Sequence, residues 1–192
     1  MKTGTGVTGT MDANTFGSGK TWAEYMQSIT RHQEQFDRVY KSFLVTDEDV
    51  ATFRSLAPLN IVAVGEDWCP DVFNSLGVIA QLADLVPGVE LRIFERDTRT
   101  DIMDMFLTDG TKKRIPVFAF YNAHFRLLFW WAGRCKEGDE WVAAFRNGRT
   151  FDEIPEIDKA RFRVEFDHRY DTIYRRAGLE EIKALLREHA PR

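Results

Sequence analysis

Two cysteines occur in the 192 residues, Cys69 and Cys135, and the first stands where a thiol is readily made reactive. It lies in Asp67-Trp68-Cys69-Pro70-Asp71-Val72, between a compact apolar run over 60–64 and a helical stripe of Val72, Leu76, Ile79, Ala80, Ala83 and Val86. A thiol at such a strand-to-helix turn meets the unpaired N–H groups of the helix's first turn. The positive end of the helix dipole there favours thiolate over thiol. Pro70 suits the first helical position, where its missing N–H is not needed. Glu66, Asp67 and Asp71 pull the other way, because nearby carboxylates disfavour a further negative charge. The balance predicts a modestly lowered Cys69 pKa. Asp71 has two readings: a carboxylate that moves protons to and from the thiol, or, with more weight, an acid that complements the helix dipole.

Other chemistry-bearing residues form no comparable constellation. Gly17-Ser18-Gly19-Lys20-Thr21 matches the end of a phosphate-binding loop, but Asn14 stands where the first glycine is required and no strand precedes it. His32, His124, His168 and His189 share no metal-ligand spacing with one another or with the cysteines, so no metal site is expected. Glu165, Asp167, His168 and Asp171 read as a solvated helix face. A net charge of −4, without Lys/Arg clusters interleaved with aromatics, gives no ground for nucleic-acid or anionic-membrane binding. No run of about 18 apolar residues is present, and the Gly- and Thr-rich start lacks the apolar stretch of a secretory signal. Two cysteines make no disulfide framework. The expected address is therefore reducing and cytoplasmic, where a conspicuous cysteine is more often chemical than structural.

The elements that must position Cys69 follow from hydrophobic periodicity. Residues 1–19, without apolar anchors to offset their ordering entropy, read as a flexible tail. Residues 20–58 read as an N-terminal helical extension. In it Trp22, Tyr25, Met26, Ile29, Gln33, Phe36, Tyr40 and Phe43 form one stripe with only Gln33 polar, and Asp47-Glu48-Asp49 open a second helix that stops at Pro58. Residues 59–147 alternate as β-α-β-α-β-β-α. The strands fall at 60–64, 89–95, 117–121 and 127–131; Thr98 and Asp101 cap the second helix, and a last helix covers 137–145. A helical crossover makes the first two strands parallel, and the short joint at Asn122-Ala123-His124 makes the last two antiparallel. Residues 148–192 read as a C-terminal helical extension packed on this core. Phe162, Phe166, Tyr170 and Ile173 lie on one stripe, and Leu179, Ile182, Leu185 and Leu186 on another after Gly178. Of Trp130 and Trp131, one ring belongs in the core and the other under a terminal helix.

Taken in order, the strand, the Trp-Cys-x-x turn, the helix and the later Ile115-Pro116 ahead of a strand resemble the thioredoxin superfamily. That family's pattern is Trp-Cys-Gly-Pro-Cys faced by a cis-proline. The nearer likeness is to bacterial thioredoxin-like proteins with a Trp-Cys-Pro-Asp turn and added terminal helices. The resemblance covers about half the chain and implies an α/β protein, a thioredoxin-like three-layer α/β/α sandwich with extra helices at both ends. It implies Cys69 as the nucleophile, with Trp68 and Pro70 beside it in a substrate groove. Ile115, ahead of cis-Pro116, would pair its backbone with a bound substrate segment, and Gly133 would complete the groove. Two positions depart from the pattern. Val72 stands where the resolving cysteine belongs, and Ala63 where a buried acid aids proton transfer.

A dithiol enzyme releases its substrate when the second thiolate attacks the mixed disulfide, and valine has no such chemistry. The expectation is a single-cysteine thiol–disulfide oxidoreductase acting on a protein or low-molecular-weight disulfide. An external thiol, glutathione or another, serves as co-substrate, and no cofactor is bound. Cys135 is the in-chain candidate for the resolving thiol; the plainer reading makes it a small, half-buried residue opening the last helix. The main rival is a redox-inactive binding or structural module that kept the fold, with its helical ends as a partner or homodimer surface. A thiol peroxidase lacks its expected threonine, since Glu66 stands three residues before the cysteine. A glutathione-conjugating enzyme would carry a larger helical domain.

Overall fold

A computed structural model describes residues 3–4 and 6–189. Five strands, β1 (Thr3–Gly4), β2 (Leu59–Gly65), β3 (Val89–Glu95), β4 (Val117–Asn122) and β5 (Leu127–Ala132), form one sheet in the order β1-β5-β4-β2-β3. Helices cover both faces. β2 is buried at every position except Asn60, which is why its sequence is a continuous apolar run and not an alternation. It runs parallel to β3 and antiparallel to β4, and β4 and β5 form the antiparallel hairpin. Helix α5 (Pro70–Leu85), here labelled in chain order, is the crossover from β2 to β3. Phe118, Phe120 and Phe129 fill the middle of the sheet. Phe120 stacks on Phe129 at 4.6 Å and Phe118 on Trp131 at 6.1 Å, offset arrangements that suit aromatic quadrupoles.

The start of the chain departs from the expected tail. β1 pairs with Trp130 and Trp131 on the edge of β5, and α1 (Ala13–Gly17) is capped by Asp12, whose carboxylate accepts the Thr15 N–H at 2.7 Å. Met11 and Phe16 are buried, and Phe16 meets Phe125 at 5.4 Å. Lys20 exchanges main-chain hydrogen bonds with Ile93 at the opposite edge of the sheet. A segment too polar to make a core of its own is thus ordered by main-chain partners and apolar sockets that the sheet supplies. The phosphate-loop-like stretch accordingly lies along a sheet edge.

The aromatic stripe expected as one helix is two: α2 (Trp22–Ser28) and α3 (Gln33–Ser42). The break has a cause in the turn that carries Cys69, because the Asp67 carboxylate accepts the N–H groups of Thr30 and Arg31, each at 3.0 Å. His32 takes a positive φ of 55°, and Gln33, the polar member of the stripe, opens the second helix and donates to the Met26 carbonyl at 2.6 Å. α4 (Asp47–Arg54) starts from a capping box of Thr46 and Asp49. α6 (Thr100–Met103) begins one residue later than expected. Its N-cap is Arg99, which clasps Asp101, and Thr98 caps nothing there.

After α7 (Lys136–Arg146), α8 (Glu156–Arg169) and α9 (Arg175–His189) are joined by a π turn over Tyr170–Tyr174. Gly178, between the two stripes, is helical and buried against the Trp131 ring. Trp131 lies under this helix and donates to Glu181 at 2.9 Å. Trp130 is covered by the N-terminal segment and donates to the Gly6 carbonyl at 3.2 Å. α9 is pinned to α4 by a buried ion pair, Lys183 Nζ to Asp49 Oδ1 at 2.7 Å, with side-chain exposures of 1% and 0%. Arg176 donates to the same carboxylate at 2.7 Å.

Burial alone would raise the Asp49 pKa, but Arg176 and Lys183 overrule it and hold the carboxyl below its ordinary value of 3.8. The stability this contributes is complete above that value and drains away as pH falls through the lowered folded-state pKa. Lys183→Met, which leaves the buried Asp49 carboxylate with Arg176 as its remaining close cation, is expected to cost about 2 kcal/mol. Urea denaturation near neutral pH measures it, and an unchanged midpoint would show the pair to be dispensable.

Candidate functional site

The sheet gathers three loops at one end. β2 ends at Gly65, β4 begins at Val117 opposite Val64, and β5 ends at Ala132 opposite Val117. The turn carrying Cys69, the Ile115–Pro116 bond and the Gly133–Arg134 step therefore leave the sheet side by side. The Ile115–Pro116 peptide is cis, and the Pro116 carbonyl accepts the Gly133 N–H at 2.7 Å. Among the described residues the Ile115 N–H and C=O make no hydrogen bond. Gly133 has φ +86°, and a Cβ there would run into the Arg114 guanidinium. Only glycine fits both demands.

Cys69 is the N-cap of α5, with extended backbone (φ −92°, ψ 119°) and its carbonyl accepting from Val72 and Phe73. Pro70 follows as the first helical residue and is exposed. The turn is braced on both flanks. Asp67 holds the loop between α2 and α3, and Glu66 accepts the Asp97 N–H at 2.8 Å. Trp68, 38% exposed, lies under the Arg96 guanidinium at 4.9 Å. Val72 is fully buried and fills the space above Gly65, where a Cβ would come within 2.6 Å of its Cγ1. The position of the absent second thiol is a packing site between helix and strand. Ala63, in the middle of β2, is equally buried between Ile93 and Phe118.

The expected lowering of the Cys69 pKa is overturned. Burial first, and then the charge of Asp71, push the thiol up to about 11, against the pull of the Val72 and Asp71 N–H groups and of Arg134. Cys69 is only 8% exposed, so desolvation outweighs the helix start. Near pH 7 the thiolate is on the order of one part in ten thousand of the protein.

Asp71 stands in the first turn of α5, where an acid complements the helix dipole as expected, and its carboxylate is also tied to distant segments. Its Oδ1 accepts from Arg134 Nε at 2.9 Å and from the Tyr170 hydroxyl, and its Oδ2 accepts from Arg134 Nη2. The carboxylate is 10% exposed and its guanidinium partner 17%. It is a buried tie between α5, the lead into α7 and the C-terminal helix. Arg134 also approaches Asp139 at 3.6 Å, and Arg114 pairs with Asp139. Sequence reasoning missed Arg134, Arg114 and Tyr170. Arg134 adjoins a glycine that the resemblance had marked, and Tyr170 lay on an aromatic stripe read only as packing.

Cys69 and Cys135 are both free thiols and belong to different apolar clusters. Cys69 is part of the main core; Cys135 packs with Phe166, Tyr170 and Tyr174. The Cys135 sulfur caps α7 by accepting the Gly138 N–H at 3.4 Å, and burial pushes its thiol up to about 11. Among the described residues no group of three or more His, Cys, Asp or Glu side chains is placed to hold a metal. No helix among them is long and apolar enough to cross a membrane.

The sequence model of a family described as Thioredoxin matches residues 19–146. No curated protein matches the chain. An HIV epitope-scaffold shares the fold with a TM-score of 0.64 and 17% identity, over 92% of this chain and 97% of that one. A protein of unknown function from Pseudomonas aeruginosa does so with a TM-score of 0.62 and 17% identity, over 91% and 96%. At that identity the likeness is one of fold alone.

The raised Cys69 pKa sets a testable pH profile. Alkylation of Cys69 by iodoacetamide, followed by intact mass, is expected to accelerate roughly tenfold per pH unit from about pH 7 to 10, because only thiolate reacts. Half-maximal rate should fall near pH 11. A plateau below about pH 8.5, the range of a free cysteine, would contradict the buried, protonated thiol.

Proposed function

Because the chain belongs to the thioredoxin family, we propose that it is a thiol–disulfide oxidoreductase working through the single cysteine Cys69. The observation that carries this reading is the placement of Cys69, at the start of α5, at the same end of the sheet as a peptide backbone at Ile115 that has no hydrogen-bond partner among the described residues. An extended segment of a disulfide-bearing substrate pairs its main chain with Ile115, ahead of cis-Pro116, and so presents its disulfide to the thiol. Trp68 and Pro70 wall this groove, and Gly133 keeps it open.

In the reaction the Cys69 thiolate attacks one sulfur of the substrate disulfide. A Cys69–substrate disulfide forms, the substrate S–S bond breaks, and the other substrate sulfur leaves as thiolate and takes up a proton. Val72 cannot perform the second exchange. An external thiol, glutathione or another of low molecular weight, attacks the mixed disulfide and returns Cys69 as thiolate. That attack falls on the substrate-derived sulfur, which passes into a disulfide with the resolving thiol; a second such thiol then releases it as a thiol and the two resolving thiols end as their own disulfide. A reducing compartment such as the cytoplasm supplies that thiol. The high Cys69 pKa makes the first step slow at neutral pH, and so suits a substrate held long enough by its backbone for the rare thiolate to react.

One observation favours a second reading, a redox-silent binding module: the thiol is buried and Val72 is built into the packing against β2. Oxidised glutathione separates the two. Incubation is expected to add one glutathione, confined to Cys69, removable by reduced thiol, absent in Cys69→Ser, and faster by roughly tenfold for each unit of pH between about 7 and 9. An inert Cys69 across that range would overturn the oxidoreductase and leave the module.

A further inference from the structure

The C-terminal extension reaches into the Cys69 site from beyond the residues that match the family. Tyr170 lies 99 residues after Asp71 in the chain, yet its hydroxyl donates to Asp71 Oδ1 at 2.5 Å. It opens the π turn between α8 and α9, a widened turn of the kind that recurs at functional sites. One turn further on, Arg175 Nε donates to Asn74 Oδ1 at 3.1 Å, and Asn74 in turn donates to the Pro70 carbonyl at 2.9 Å. The extension thus grips the first turn of α5 at two points, and one of them is the carboxylate nearest the thiol along that helix.

We propose that Tyr170 is a positioning residue for Cys69: by donating to the Asp71 carboxylate, the C-terminal helix sets how readily the active-site thiol ionises. The inference rests on the reading of Cys69 as the reacting group. Its physical basis is the balance of charge around the sulfur. Asp71 on α5 disfavours a thiolate, while Arg134 and Arg114, from the loops before α7 and β4, favour it; Tyr25 faces it from α2, where it also feels the charges of Glu66 and Asp67 in the turn. Tyr170 is 1% exposed, and burial and then the Asp71 charge keep its phenol protonated well above its ordinary range, so it remains a donor. Each donor that Asp71 accepts draws its negative charge away from Cys69. Losing the phenolic proton leaves that charge less compensated, and the thiolate becomes harder to form.

A double-mutant cycle on Cys69 alkylation tests this, with iodoacetamide as probe and the alkylated peptide mapped after digestion. Tyr170→Phe is expected to slow Cys69 alkylation roughly threefold at about pH 8 and to move the pH midpoint upward. Asp71→Asn should accelerate it, and in the Asp71→Asn background Tyr170→Phe should have no further effect, because the coupling passes through the carboxylate. Arg134→Gln, which removes the other donor, should shift the midpoint in the same direction as Tyr170→Phe, and further. A rate unchanged or raised in Tyr170→Phe, or an equal slowing in both Asp71 backgrounds, would overturn the proposal and leave Tyr170 a structural pin. Alkylation needs no disulfide exchange. A wild-type protein inert to oxidised glutathione would therefore sink the oxidoreductase reading without deciding this one.

Discussion

The Asp71 carboxylate is the group around which the site is built. It sits in the first turn of α5, two residues after Cys69 and almost out of water. A lone carboxylate there would cost several kcal/mol of desolvation. Arg134 meets it through two nitrogens and Tyr170 through its hydroxyl, so that the charge is matched and both oxygens are satisfied. Three segments far apart in the chain, the start of α5, the lead into α7 and the π turn of the C-terminal helix, are held together by this one group. Gly133 belongs to the same arrangement, because the step that delivers Arg134 needs a positive φ and leaves no room for a side chain beside Arg114.

That arrangement explains why a cysteine at a helix start is a weak acid here. The dipole and the N–H groups of α5 do act in favour of the thiolate. They are outweighed by the burial of the sulfur and by Asp71, whose charge Arg134 offsets only in part. Val72 adds to the burial: its side chain closes the contact between α5 and Gly65, so the residue that removes dithiol chemistry also tightens the packing beside the remaining thiol. The acidity of Cys69 therefore depends on its burial and on how the charges around Asp71 are distributed. Asp67, the other acid of the turn, is occupied in shaping the loop between α2 and α3.

The two ends of the chain differ in what they do for the site. The N-terminal segment covers the sheet edges and Trp130, while the C-terminal helix covers Trp131, pairs with α4 through Lys183 and Asp49, and touches α5 itself. A sheet of this size has two faces and two edges to shield, and the added helices shield them.

The core strands, the α5 crossover, the hairpin and the turn at Cys69 were legible in the sequence because each is written in local pattern: an apolar run, a 3.6-residue stripe, a proline at a helix start. The candidate cysteine and the valine three residues after it are likewise read from residue type at a fixed spacing. Local pattern was silent about Tyr170 and Arg134, which meet Asp71 only because the sheet and the C-terminal helix bring distant segments together. It also misjudged the Cys69 pKa, because burial depends on what packs over the sulfur and a sequence shows only the neighbours along the chain. The order found at residues 6–19 and the break between α2 and α3 have the same origin. Their main-chain partners, Ile93 for Lys20 and Asp67 for Thr30 and Arg31, lie tens of residues away. Sequence by itself determined the fold class and which sulfur atom is the candidate for reaction. Tertiary structure decided how acidic that atom is, since desolvation and long-range charge exist only once the chain has closed around it.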